Sequence, residues 1–322
     1  MSPVGRRVRR LRTEGFEVMP DISLLVCTRN RASALINLLD SVSVAVSEAR
    51  GLDIEIIIVD NGSTDDTPAM LAEWADRQSF PVRLVTEQQP GLARARNRGL
   101  QHCRSRIIAM TDDDCTLHSD YFTALARCFA RLGEDVIVGG RILLGNPMDL
   151  PVTIKVEDHP MILRPGAFPG GFVMGANLAL TATILDRVGR FDDRFGSGAP
   201  FQAAEDTDYL FRAIGQGCDI RYDPAFAVDH HHGRRCPSEE KALLAAYSYG
   251  DGALYAKYWL TDWRIWRAVA EDIRLLPRDI LAPVRQHAGV RYFYTFRLRH
   301  KLRGFLAFAK SRLRRARPVR AG

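Results

Sequence analysis

The sequence predicts an α/β protein built on a mainly parallel, doubly wound sheet, with a helical and basic extension at its C-terminal end. Three observations carry that expectation. Short runs of β-branched and aliphatic residues alternate with stretches of helical spacing, each run ends in a cluster of polar residues, and the alternation stops after residue 240, where positive charge accumulates.

The elements follow in order. Residues 1–20 carry Arg6, Arg7, Arg9, Arg10 and Arg12 without apolar periodicity and read as a basic disordered arm. Residues 22–27 form a first strand, 32–48 a helix, and 54–59 a second strand that runs into Asp60-Asn61-Gly62-Ser63. A helix over 67–78, a strand over 82–86, a helix over 92–103 and a fourth strand over 107–110 continue the pattern. Ligands on such sheets bind beyond the carboxyl ends of the strands. The residues collected there are 28–31, 60–63, 87–91 and 112–114, which make one polar rim.

With 322 residues and 46% hydrophobic content, the chain is able to bury a full core. It lacks the roughly 18 to 20 uninterrupted apolar residues of a membrane span, and its arginine-rich start lacks the apolar stretch of a secretory signal. The expected location is therefore the cytoplasm, including the inner face of the cell membrane. Cysteines at 27, 103, 115, 128, 218 and 236 have no Cys-x-x-Cys spacing, which argues against a zinc ribbon or a thioredoxin-like motif. The net charge of +7 is unevenly spread. Residues 241–322 hold 18 Lys and Arg against 5 Asp and Glu, a balance of +13 that leaves −6 for the rest, so the tail is suited to an anionic membrane or nucleic acid.

The stretch Ile107-Ile-Ala-Met-Thr-Asp-Asp-Asp-Cys115 ends an apolar run in three carboxylates. Crowded carboxylates repel unless a cation neutralises them, and oxygen ligands suit Mg²⁺ or Mn²⁺. Strand geometry would point Asp112 and Asp114 to one side and Asp113 to the other. An acidic turn after a strand is the competing reading.

Several motifs stand in order: 26–31 with Thr28-Arg29-Asn30-Arg31, 57–67 with Asp60-Asn61-Gly62-Ser63, 90–99 from Pro90 to Gly99, the acidic run 110–115, Gly175-Ala176-Asn177, 189–198, and Glu205-Asp206-Thr207-Asp208, with Pro224 and His230 beyond. Together they resemble the nucleotide-sugar-dependent glycosyltransferases of family 2, which have the GT-A fold, a Rossmann-like, mostly parallel sheet flanked by helices. The likeness covers about residues 20–235. The family's frequent proline before Thr28 is Cys27 here. The resemblance implies one domain over 21–240, with 21–115 as nucleotide-binding half and 116–240 as acceptor-binding half, followed by the helical region 241–322.

It also implies the chemistry. An acceptor hydroxyl attacks the anomeric carbon of a nucleoside diphosphate sugar, and Mn²⁺ or Mg²⁺ offsets the charge on the departing diphosphate. By analogy Thr28, Arg29, Arg31, Asp60 and Gly91 hold the nucleoside side, and a uracil-like imide suits the Asp60 carboxylate, which makes UDP the expected carrier. Asp60 also fits a plain turn or helix-entry role. Arg94 or Arg96 would reach the diphosphate, against a structural role for either. Asp112 and Asp113 fall near ribose or donor sugar. Asp114 is the expected direct metal ligand, with Asp112 and His230 completing the site, while a histidine cluster at 230–232 also fits a solvated loop. Inverting transfer needs one base, and the resemblance assigns it to Asp206 in Glu205-Asp206. Glu205, Asp208 and Arg212 also fit a surface ion network. Gly170-Gly171 and Gly196-Ser197-Gly198 flank the acceptor side, and Asn177 fits either an acceptor pocket or a buried structural amide.

In the tail, residues 243–258 read as helix, and Trp259, Trp263 and Trp266 stand among Arg264 and Arg267. Residues 259–322 fit an interfacial amphipathic segment on an anionic membrane, or a helical subdomain that packs on the core. The expected partners are the sugar donor and a glycan or lipid-linked acceptor. A sugar nucleotidyltransferase is a rival, but the first strand is not followed by that class's glycine-rich loop. A degenerate, non-enzymatic protein acting through its basic tail is another, with no nucleic-acid motif to support it.

Overall fold

The computed structural model describes residues 19–316, so the expected arm at 1–20 lies outside it up to residue 18, as do the last residues of the tail. From β1 (Ile22–Thr28) the chain passes through α1 (Leu35–Glu48), β2 (Ile54–Asp60), α2 (Thr67–Asp76), β3 (Val82–Thr86), α3 (Leu92–Leu100) and β4 (Ile107–Asp112). Next come β5 (Cys115–Leu117), α4 (Tyr121–Leu132), β6 (Val136–Leu144), β7 (Met161–Ile162), β8 (Asn177–Thr181), α5 (Ala182–Val188), α6 (Glu205–Gly215) and β9 (Asp219–His230). Four helices follow: α7 (Pro237–Tyr258), α8 (Trp263–Leu275), α9 (Arg278–Leu281) and α10 (Phe293–Ala316).

The nine strands among the described residues join one sheet in the order β3-β2-β1-β4-β8-β6-β9-β5, with β7 beside β9. Strands β1 to β4 are mutually parallel, whereas β8 runs antiparallel to both β4 and β6. Alternation within the strands builds two cores. Leu24, Val26, Ile56 and Ile58 join one cluster with α1 and α4, while Leu25, Ile57 and Val59 join a second with α3 and α6. Helix α3 sits tight on the sheet because Gly99 has no side chain; a Cβ there would lie 2.2 Å from Leu25 Cδ1. Register does the rest. Thr28 pairs with Asp60 and Cys27 with Asp112, so three strands end level and bring their polar residues to one rim.

Some expected boundaries move. Helix α1 begins at Leu35 rather than 32, because the Arg31 and Ala32 amides donate to Thr67 Oγ1 and Asp65 Oδ2 across the rim. Helices α2 and α3 stop at 76 and 100, short of 78 and 103, while β4 reaches Asp112. Asp113 and Asp114 form a turn between β4 and β5, so strand alternation does not govern where they point. Helix α7 starts at Pro237, six residues before the expected 243, where Glu239 accepts the Cys236 amide in a capping box and proline takes the first turn. The helix thus runs through residue 240.

The C-terminal helices pack on the sheet domain. Phe195, Phe201 and Phe211 share a third apolar cluster with Leu254 and Tyr255 of α7, Ile265 of α8 and Phe308 of α10. Glycines let α7 and α10 cross closely. A Cβ on Gly252 would lie 1.8 Å from the Lys301 carbonyl oxygen, and one on Gly304 would lie 1.9 Å from that of Tyr249.

Candidate active site

A cleft of about 740 Å³ opens at the carboxyl ends of β1 and β4. On one side lie Thr28, Arg29, Arg31, Asn61 and Gly91, at its floor Arg96 and Asp112 to Asp114, and on the far side Glu205, Asp206, His230 and part of α7. Asp60, expected on the nucleoside side, is not among the residues that line the cleft. Its Oδ1 accepts the Ser63 amide at 3.1 Å, while the neighbouring Asn61 faces the cleft, donating to the carbonyls of Glu87 and Gln89 and accepting from the Gly91 amide at 2.8 Å. Asn61 was not singled out from sequence. Its signal was present, since an Asn in a tight turn after a strand is suited to organise the next loop.

The acidic run is divided among different partners. Thr28 Oγ1 donates to Asp113 at 2.7 Å, and Arg31 lies 3.7 Å from Asp113 and 3.5 Å from Asp114. Asp112 meets Arg96 at 3.2 Å, and Asp114 meets His230 Nε2 at 3.2 Å. Burial pushes Asp113 up to about 6 against the opposing help of Thr28 and Arg31, and the charges of Asp114 and Asp112 add to the rise. Asp112 is likewise raised by burial, opposed by Arg96. Burial would raise Asp114 too, but the hydrogen bond and charge of His230 hold it below the usual carboxylate range.

This donor set fits a divalent cation. Asp112 and Asp113 are both held up by burial and by the charge of Asp114, which is the charge excess a cation relieves. His230 Nδ1 donates to the Thr153 carbonyl at 3.1 Å and Nε2 faces Asp114 at 3.2 Å; protonated, Nε2 donates to that carboxylate, and a cation arriving there would take the place of the proton and make Nε2 a ligand nitrogen. Cys115 lies within the same small cluster. Its thiol is raised well above its ordinary value by burial and then by Asp112 and Asp114, so it stays neutral and is a poor ligand for Mn²⁺ or Mg²⁺.

Arg96 is buried under the cleft and meets both acidic motifs, with Asp112 at 3.2 Å and Glu205 at 3.0 Å. Both its ends are thereby engaged, and Arg94 pairs elsewhere, with Asp193 and Gln89. Glu205 is pushed up to about 7 by burial and the neighbouring Asp206, against the pull of Arg96. Asp206 sits in the first turn of α6. Its Oδ2 accepts the Gly175 amide at 3.2 Å, and its Oδ1 accepts the Thr207 amide at 2.6 Å. The surface network expected of Glu205, Asp208 and Arg212 forms only in part and not at the surface. Asp208 is fully buried, bound by Arg212 at 3.0 Å, Lys257 at 2.5 Å and Tyr258 at 2.9 Å, while Glu205 goes to Arg96. Asn177 is also fully buried and bridges Tyr121 to the Arg141 carbonyl, away from any acceptor. His230 ends strand β9 rather than standing in a loop, and His232 is turned away to the Leu150 carbonyl.

A sheet of this order brings an acidic strand end to face the carboxylates at the start of the following helix α6. In this chain, residues 23–149 match the family model described as glycosyl transferase family 2. It is 23% identical over 205 residues to glycosyltransferase AglE of Haloferax volcanii, covering 63% of this chain and 64% of that one. It is 26% identical over 219 residues to the pre-mycofactocin glycosyltransferase of Mycobacterium tuberculosis, covering 66% of this chain and 43% of that one. The chain therefore spans less than two thirds of the length of these curated relatives. Among solved structures it is similar to the mannosyltransferase PcManGT from Pyrobaculum calidifontis in complex with GDP-Man and Mn²⁺, with 19% identity, a TM-score of 0.57, and coverage of 94% of this chain and 92% of that one. The likeness establishes the GT-A fold for this chain.

Proposed function

We propose that the protein moves a sugar from a nucleoside diphosphate sugar to a hydroxyl of a glycan, glycolipid or other cell-envelope acceptor, with inversion and with Asp206 as general base. The observation that carries this reading is the Arg96 bridge. One guanidinium ties the strand-end carboxylate Asp112 to Glu205, next to Asp206, so both acidic motifs serve one cleft. A divalent cation held by Asp114, Asp112 and His230 would offset the charge on the departing diphosphate. Thr28, Arg29, Arg31 and Gly91 would border the donor, and Asp60 would reach a uracil-like base from the rim. The Gly175 and Thr207 amides orient the Asp206 carboxylate, which takes the proton of the attacking hydroxyl. Glu205 is tied to Arg96 and acts in positioning.

The first test is thermal stabilisation by UDP, GDP, CDP, ADP and dTDP, with and without Mn²⁺. Ligand at a hundred times its dissociation constant adds about 2.7 kcal/mol. A Mn²⁺-dependent shift with UDP is expected. A shift with GDP alone would reassign the base, and none with any nucleotide in folded protein would sink the donor site. Asp206→Asn then separates roles, with an expected loss of about 10² to 10⁴ in transfer rate at unchanged nucleotide affinity.

The acceptor would be met at an anionic membrane surface. Trp263, Trp266, Leu302, Leu306 and Leu313 are at least half exposed on α8 and α10, interspersed with arginines. No helix among the described residues is long and apolar enough to cross a membrane. Flotation with phosphatidylglycerol vesicles, sensitive to salt and lost in Leu302→Ser/Leu306→Ser/Leu313→Ser, is the expected result; equal flotation of wild type and variant would remove the membrane from the reading.

A further inference from the structure

The wall of the cleft beyond Asp206 is built by the C-terminal helices, and none of the roles above uses it. Leu243, Tyr247 and Asp251 follow one another at four-residue spacing on α7, Arg297 joins them from α10, and Phe168 closes the side. Tyr247 lines the cleft and is 44% exposed as a residue, while burial raises its phenol above the ordinary value. Asp251 is the reverse case. The residue is only 8% exposed, yet among the described residues its carboxylate accepts no hydrogen bond.

Its nearest cations stand off. Arg297 lies 3.5 Å away and Lys301 3.7 Å, and the Lys301 ammonium is already bound to Tyr255 at 2.9 Å and to both oxygens of Asp272 at 2.8 and 2.7 Å. The Asp251 oxygens are not among the buried unpartnered polar atoms; the residue lines the cleft, so its carboxylate can accept from arriving hydroxyl donors. Its pKa is raised by burial, opposed by Lys301 and Arg297, and raised further by Asp272 and Asp206, so Asp251 also lies within electrostatic reach of the proposed base. An aromatic face open to a cleft, beside a carboxylate that accepts and a guanidinium that donates, is a set suited to a sugar ring. The ring's C–H face covers the tyrosine, and neighbouring hydroxyls bond to the charged pair.

We propose that Tyr247, Asp251, Arg297 and Phe168 form the acceptor subsite and that it takes a hydroxyl-rich pyranose ring, so that the acceptor is a glycan or glycoside rather than a simple lipid alcohol or a peptide side chain. The inference rests on the transferase reading, since a ring held there turns a hydroxyl towards Asp206. It also assigns the C-terminal helices a part in catalysis, as the wall that selects what receives the sugar.

The test uses the full chain and a panel of methyl glycosides of glucose, galactose, mannose and N-acetylglucosamine, with binding followed by ligand-observed NMR. Nucleoside diphosphate with Mn²⁺ is measured in parallel, on wild type, Tyr247→Ala and Asp251→Asn. Tyr247 is exposed and Asn replaces Asp at equal size, and melting curves establish that both variants fold. At least one glycoside is expected to bind wild type, and both substitutions should weaken it tenfold or more while nucleotide affinity stays within twofold. Glycoside affinity indifferent to both substitutions, or no glycoside bound by protein that binds nucleotide, would overturn the subsite. Glycoside bound at this wall by protein that binds no nucleotide would keep the subsite and overturn the transferase reading instead.

Discussion

Arg96 shows how much rests on one side chain. It is 3% exposed and pairs directly with Asp112 and Glu205, so removing it leaves two buried carboxylates without their shared partner. Breaking a buried ion pair from one side costs about 3 to 5 kcal/mol. Arg96→Gln should lose stability on that scale by urea denaturation, where a merely solvated arginine would lose almost nothing. Gly175 belongs to the same unit, because a Cβ there would lie 2.5 Å from Arg96 Nη2. Glu205 provides a pH signature. Its folded pKa of about 7 lies above the ordinary 4.5, so the folded state holds the proton more tightly. The stability this group contributes is full below the ordinary value and is lost as pH rises through about 7, at up to about 1.4 kcal/mol per pH unit. Melting curves from pH 4.5 to 8 should fall accordingly, and Glu205→Gln should flatten that fall. An identical slope in the variant would show that other groups cause it.

At the scale of elements, the close crossing of α7 and α10 depends on two glycines. Gly304→Ala places a methyl group on the Tyr249 carbonyl, and overpacking of this kind costs about 1 to 3 kcal/mol. The helices would separate, and the Phe195, Phe201 and Phe308 cluster beneath them would loosen. A stability within a few tenths of a kcal/mol of wild type would mean the crossing has slack. Nothing in the local sequence of either glycine announces this contact, since Gly304 reads as a weak point in a basic helix. The start of α7 is different. Pro237 followed by Glu239 carries the signature of a helix N-terminus, but the N-cap is a cysteine, outside the usual Ser, Thr, Asp and Asn set, and periodicity alone placed the start at residue 243.

For the whole molecule, the basic tail serves two surfaces at once. One face closes the third apolar cluster and lines the far wall of the cleft, and the other turns Leu302, Leu306 and Leu313 outwards. Truncation before α10 would therefore strip Phe308 from Phe195 and Phe201 as well as remove the outward face. A chain ending at residue 292 is expected to aggregate or melt well below the full chain, and its recovery as a stable monomer would show that α10 is an appendage. For that reason the membrane reading is tested by surface substitutions and not by deletion.

Local chemistry determined much of this protein. Runs such as Ile54-Glu-Ile-Ile-Ile-Val are buried on both faces and have few alternatives to a central parallel strand, so the sheet, its polar rim and the acidic run at 112–114 were legible from residue order. The family motifs extended that reading as far as His230. Tertiary structure decided the partners. Whether Arg96 meets diphosphate or carboxylates, whether Asp208 lies at the surface or fully buried, and which of Asp60 and Asn61 faces the cleft depend on residues tens to more than a hundred positions away in the chain. The same holds for Asp251, an unremarkable helical acid in the sequence. It meets Arg297 at 3.5 Å and Lys301 at 3.7 Å only because α10 packs across α7, and such a distance is set by helix packing that no local pattern records.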